Sequence, residues 1–119
     1  MKQKVHSVSY LAKAEFDLKN GVYDLVALPC GAEVVKVSLE IAGNPTAVGI
    51  VEVGFKDETK NYFLTVENIS TNKSSTSAKD YTATSNKVVV AEVKNANETD
   101  TKCVLRVLYF LPSVIEVEY

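Results

Sequence analysis

Residues 33–41, EVVKVSLEI, alternate apolar and polar side chains with a period of two. Val35, Val37, Leu39 and Ile41 fall on one side, and Lys36, Ser38 and Glu40 on the other. A helix would scatter those four apolar residues around its circumference, whereas a half-buried antiparallel strand needs this spacing. Turn signals flank the segment. Leu28-Pro29-Cys30-Gly31 precedes it, with Pro holding φ at one turn position and Gly supplying the flexible one. Ala42-Gly43-Asn44-Pro45 follows it. Residues 21–55 therefore predict three strands, 22–28, 33–41 and 47–55, with no catalytic group among them. Gly49 and Gly54 inside the third mark a bulge or a close backbone approach.

The same rhythm runs through the rest of the chain. Residues 3–9 alternate weakly and predict an edge strand or an N-terminal arm over residues 1–10. Residues 14–18 place Phe16 and Leu18 on one face, and Asn20-Gly21 is a strong hairpin signal because both residues tolerate positive φ. Further strands are expected over 61–67, 87–94 and 113–119. In the last of these, Ile115, Val117 and Tyr119 oppose Glu116 and Glu118. Residues 95–102, NANETDTK, read as a polar turn. Residues 102–111 are apolar on both faces apart from Arg106, as in a strand covered on both sides. Residues 70–86 are mostly Ser, Thr, Asn and Lys. They predict a long polar loop, with a short edge strand over 80–84. Eight to ten strands without helical periodicity predict an all-β fold, an antiparallel sandwich, jelly roll or barrel forming a single domain over residues 1–119.

A chain of 119 residues buries roughly two-thirds of its unfolded surface and needs no metal or disulfide scaffold. Its 13 basic and 15 acidic residues give a net charge of −2, which supports no nucleic-acid partner. Arg106 is the only arginine, so little material exists for bidentate phosphate recognition. The N-terminus, MKQKVHSVSYLAKAEF, lacks the apolar core and cleavage pattern of a secretory leader. No run approaches the roughly 20 apolar residues of a membrane helix. A soluble protein made in a cytoplasm, with no membrane partner, is expected.

Residues that could carry chemistry are few. His6 is the only histidine, so a Ser-His-Asp triad has one place to form, at the chain end. One His with the separated Cys30 and Cys103 falls short of a zinc site. The two thiols read as unpaired, or as a cross-strand pair. Glu116 and Glu118 lie about 7 Å apart on one strand face. That spacing suits glycoside hydrolysis, but it reads as a solvated face because no aromatic platform accompanies it. No glycine-rich phosphate loop occurs. No enzyme, cofactor or metal is expected.

The arrangement from Tyr23 onward, YDLVALPCGAEVVKVSLEIAGNPTAVGIVEVGFKDETKNYF, resembles small structural proteins of tailed bacteriophages. The resemblance rests on the Leu28 to Gly31 turn, the alternating strand, Ala42-Gly43, the strand ending in Val53-Gly54, and the charged loop leading to Tyr62-Phe63. It extends weakly to residues 104–111. Such proteins are similar to capsid cement or decoration proteins, with a jelly-roll-like fold and often trimeric. The resemblance implies a non-enzymatic virion protein on the capsid surface, made in the bacterial host cytoplasm. Its partners would be the major capsid protein and further copies of itself in a homotrimer or other homo-oligomer. Contact with the shell is expected from residues 1–10 and exposed loops, with Lys2, Lys4, His6, Tyr10, Lys73, Lys79 and Tyr81 as candidates. The competing readings are another virion part (head fibre base, tail component or receptor-binding domain) and a carbohydrate-binding or adhesion module.

Overall fold

The computed structural model describes residues 1–118, apart from the side chains of residues 99 and 100. Tyr119, expected to close the last strand, lies outside the described residues. Among the described residues, nine strands form in chain order: β1 Lys2–His6, β2 Ser9–Leu28, β3 Glu33–Ala42, β4 Ile50–Phe55, β5 Leu64–Glu67, β6 Ser74–Ser77, β7 Tyr81–Thr82, β8 Lys87–Phe110 and β9 Val114–Glu118. The described residues contain no helix. All pairings are antiparallel.

The 24-residue β8 organises the molecule. Along one edge it pairs with β2, from Ser9↔Phe110 to Leu28↔Lys87. Along the other it pairs with β4 over its first part, Phe55↔Val89 to Ile50↔Lys94, and with β3 over its last part, Ala42↔Lys102 to Glu33↔Phe110. β5 extends the sheet beyond β4, and β6 and β7 extend it beyond β3. β5 and β6 approach each other and nearly close the sandwich. The expected all-β, jelly-roll-like architecture is therefore present. Within residues 70–86, two short strands form, both on β3. The molecule measures 55 × 24 × 18 Å.

Three local expectations are corrected. Asn20-Gly21 is not a hairpin turn, because β2 runs through it without reversing. Register shifts fall between Asp17 and Lys19 and between Lys19 and Gly21, so the pair lies at a β-bulge. Gly21 has φ +150° there, and residues that suit a tight turn also suit a bulge. Residues 95–102 likewise continue β8 rather than turning, with Asn95 at φ +58°. In β3 a bulge between Val34 and Lys36 changes the phase. Val34, not Val35, then joins Val37, Leu39 and Ile41 in the core.

The core contains Leu18, Leu28, Val34, Leu39, Phe55, Ile69, Leu105 and Val107, all at most 1% exposed. Each such large side chain contributes about 1.5–3 kcal/mol on burial. Gly49 and Gly54 both mark close backbone approaches. A Cβ at Gly54 would lie 2.7 Å from the Lys60 carbonyl oxygen, and one at Gly49 2.9 Å from that of Asn95. Gly54 lies within β4 and Gly49 just before it, since the strand expected from residue 47 begins at Ile50, and both press against neighbouring backbone that leaves no room for a side chain.

Candidate partner-binding surface

At the Ser9/Phe110 end of the β2–β8 ladder, the chain continues into a separate two-stranded ribbon of β1 and β9. The Leu111 N–H donates to the Val8 carbonyl at 2.8 Å. His6 Nδ1 lies 3.0 Å from the Leu111 carbonyl oxygen, and since a carbonyl only accepts, this nitrogen carries the proton. These bonds tie the ribbon to the body. The register pairs Lys2 with Glu118, Gln3 with Val117, Lys4 with Glu116, Val5 with Ile115, and His6 with Val114. Directly opposed residues share a face. One face thus carries Gln3, Val5, Ile115 and Val117, and the other Lys2, Lys4, His6, Val114, Glu116 and Glu118.

Among the described residues, nine large apolar side chains are exposed. Seven of the nine lie in this region: Met1, Val5, Val8, Tyr10, Leu11, Val114 and Ile115. Apolar exposure is thus concentrated at one end of the molecule rather than scattered over it.

Tyr10 stands at the root of the ribbon. Its ring meets Tyr109 edge to face, 5.9 Å between centroids. The registers Tyr10↔Tyr109, Tyr109↔Val34 and Val34↔Tyr81 place these four residues in one row across the sheet. Tyr81 continues into an aromatic cluster, 4.6 Å from Phe55 and 5.5 Å from Tyr62 between ring centroids. Lys79 Nζ sits 3.7 Å above the Tyr62 ring.

The predicted candidates are therefore divided. Lys2, Lys4 and His6 share the polar face of the ribbon, and Tyr10 and Tyr81 share the row at its root. Lys73 lies apart from that row, beside Ile41, whose N–H donates to the Lys73 carbonyl at 2.7 Å. The Lys73 ammonium donates to the carbonyls of Ile69 and Ser70, at 3.4 and 3.1 Å, and so ties down its own loop.

Sequence reasoning missed two features. The alternation along β9 did not say whether its apolar side would be covered, and Ile115 is 58% exposed. The outer face of β8 is not covered on both sides. Among the described residues it carries an open groove of about 260 Å³ lined by Leu11, Lys36, Ser38, Arg106 and Leu108. The near-continuous apolarity of 102–111 gave no sign of this, and Leu108 and Phe110 are only half-buried there.

Other ionisable groups are occupied in structural roles. Lys102 hydrogen-bonds Asp17 and holds its carboxyl below the usual carboxylate range. Arg106 pairs with Glu40 at 3.0 Å. Cys103 is buried and free, and burial with the nearby Asp17 charge pushes its thiol up to about 12. Cys30 is free and exposed in its turn, with its sulfur 3.4 Å from the Thr84 carbonyl. No group of three or more His, Cys, Asp or Glu among the described residues could hold a metal ion. No helix of the described residues is long and apolar enough to cross a membrane.

An all-β body carrying a two-stranded ribbon, largely apolar on one face and charged on the other, defines the class of this chain as a jelly-roll-like β domain. Comparison with known proteins narrows this class. No family profile matches the chain, and no curated protein matches it. Among solved structures, a chain in the acidic stable capsid structure of Helicobacter pylori bacteriophage KHP30 is similar over 100% of both chains, with 74% identity and a TM-score of 0.93. A chain in the capsid asymmetric unit of cyanophage Pam1 shares the fold, with a TM-score of 0.70 and 22% identity over 87% of this chain and 85% of that one. The chain belongs to the family of phage capsid-associated proteins that the KHP30 chain represents, and is a virion structural protein.

Proposed function

We propose that this protein is a capsid cement or decoration protein, which binds the shell of the major capsid protein as a homo-oligomer and stabilises it without catalysing a reaction. The observation that carries this reading is the full-length likeness to a chain of an acidic stable capsid structure, in a protein with an exposed ribbon at one end. A cement protein occupies many equivalent positions. Joining several modest contacts in one oligomer raises effective concentration, so the assembly holds more firmly than any single contact. A net charge of only −2 limits repulsion between closely spaced copies.

The shell contact is assigned to Lys2, Lys4 and His6 on the polar ribbon face, to Tyr10 and Tyr81 at its root, and to the Lys73 and Lys79 side chains that flank β6. A carbohydrate-binding role would call for an open aromatic platform. Tyr62 instead carries the Lys79 ammonium, and Tyr10 rests against Tyr109. The test adds purified protein to capsids lacking it and measures bound copies and disruption temperature. Saturable binding with a raised disruption temperature is expected. Absence of binding, or binding that leaves the disruption temperature unchanged, would overturn the cement role.

A further inference from the structure

The β1–β9 ribbon has features that shell binding does not account for. Two five-residue strands with, among the described residues, no third strand beside them are marginal in water. Each strand has one partner, so β1 and β9 each leave one edge of backbone donors and acceptors unpaired within the chain. The two edges carry opposite charge. β1 contributes Lys2 and Lys4, and β9 contributes Glu116 and Glu118. None of these four makes an ion pair among the described residues. All four project from the same face, and Val5, Ile115 and Val117 project from the other.

We propose that the ribbon joins copies of this chain head to tail, the acidic β9 edge of one copy pairing with the basic β1 edge of the next. The added pairing is antiparallel, like the one inside the ribbon. It repeats the internal complement, with Lys2 beside Glu118 and Lys4 beside Glu116 on both flanks. A neighbour that satisfied both edges would have to present an acidic strand to β1 and a basic strand to β9. This chain presents both, at matching spacing, which selects a second copy over an unrelated protein as the occupant.

Such a contact is heterologous, and it closes into a ring when the rotation between copies returns to the start. Strand twist supplies rotation of a constant hand. In a closed ring the apolar faces turn inward together and form a small shared core, while no edge remains. The polar face stays outside, so Lys2, Lys4 and His6 remain available to a shell. The inference rests on the homo-oligomer of the proposed function and names the surface that forms it, whereas shell binding by itself does not require it.

The test measures the mass of the full-length protein by native mass spectrometry and sedimentation at micromolar concentration, with circular dichroism as a check on folding. The wild-type chain is expected to form one closed oligomer. The E116K/E118K variant makes both edges basic, and its dissociation midpoint should rise by roughly tenfold or more, since favourable cross-strand pairs become repulsive. The K2E/K4E/E116K/E118K variant restores the complement with charges exchanged and should regain the wild-type mass. A monomeric wild-type chain, an E116K/E118K variant as associated as wild type, or a fourfold variant that fails to recover would each overturn the inference. A monomer that still binds and stabilises capsids would give the ribbon to the shell and leave the cement role standing.

Discussion

Asn20 and Asn97, far apart in sequence, hold the corner where the long β2–β8 ladder breaks register. The Asn97 Oδ1 accepts from the Asn20 N–H at 3.0 Å, and the Asn20 Oδ1 accepts from the Ala96 N–H at 2.8 Å. At a bulge, ladder bonds are lost, and here two amides replace them. The corner lets β2 and β8 serve both halves of the sandwich.

Replacing Asn20 by Ala should therefore destabilise the fold by about 1–3 kcal/mol, because the part-buried Ala96 N–H loses its acceptor. Asn97→Ala should cost less, since the Asn20 N–H it serves is exposed to water. Urea unfolding of both variants checks the order. Equal midpoints for N20A and wild type would show that the corner does not depend on this bond.

Gly54→Ala should be among the more damaging single-methyl changes in the chain. The added Cβ would meet the Lys60 backbone, which cannot move aside as a side chain does. A loss of about 1–3 kcal/mol is expected, with the 56–63 loop displaced. Thermal unfolding gives the size, and amide exchange in that loop gives the place.

Acid should affect this protein little. Thr101 is the only buried polar residue among those described, so no described carboxylate or histidine is deeply buried. The main acid-sensitive contribution is Asp17, whose folded pKa lies below its ordinary 3.8 because Lys102 hydrogen-bonds it. That stabilisation is present above pH 3.8 and disappears as pH falls through the lower folded value. Lys102 is raised by the same partner, so its share is present below 10.5 and is lost as pH climbs past it. Both groups are exposed, and the effect is small. The melting temperature should stay nearly level from neutral pH to about pH 4, and Asp17→Asn should flatten the further decline. A steep fall above pH 5 in wild type would contradict this account.

The two thiols should differ in reactivity. Only the thiolate reacts readily, and burial pushes Cys103 up to about 12. Cys30 is exposed. A thiol reagent at neutral pH should label Cys30 in the folded protein and reach Cys103 only on unfolding. Loss of Cys30 by substitution should leave almost no labelling of the native state.

Much of the fold could be read locally. Period-two alternation identified the strands around Val37, Leu39 and Ile41, and Leu28-Pro29-Cys30-Gly31 marked a true turn, with Gly31 at φ +90°. Alternation is a property of neighbours in the chain, and so are turn preferences. The same reasoning misjudged Asn20-Gly21, because a hairpin turn and a bulge call for the same residues. What separates them is whether a partner strand continues alongside, and that partner, β8, lies more than seventy residues away. Val34 and Val35 were exchanged for the same reason, since a bulge opposite Leu108 changes phase without a mark in the sequence.

The candidate surface was legible only in part. Lys2, Lys4, His6 and Tyr10 stood out because residues 1–10 are polar and weakly patterned. Their pairing with residues 114–118 could not be seen, since it joins the two ends of the chain. The sequence by itself determined an all-β protein with little material for catalysis, because composition and periodicity limit which side chains exist and which face each takes. Only the tertiary structure decided that one ladder spans both halves of the sandwich and that Val5 and Ile115 stand together in the open. Those are relations between distant segments, set by register and packing rather than by any local preference.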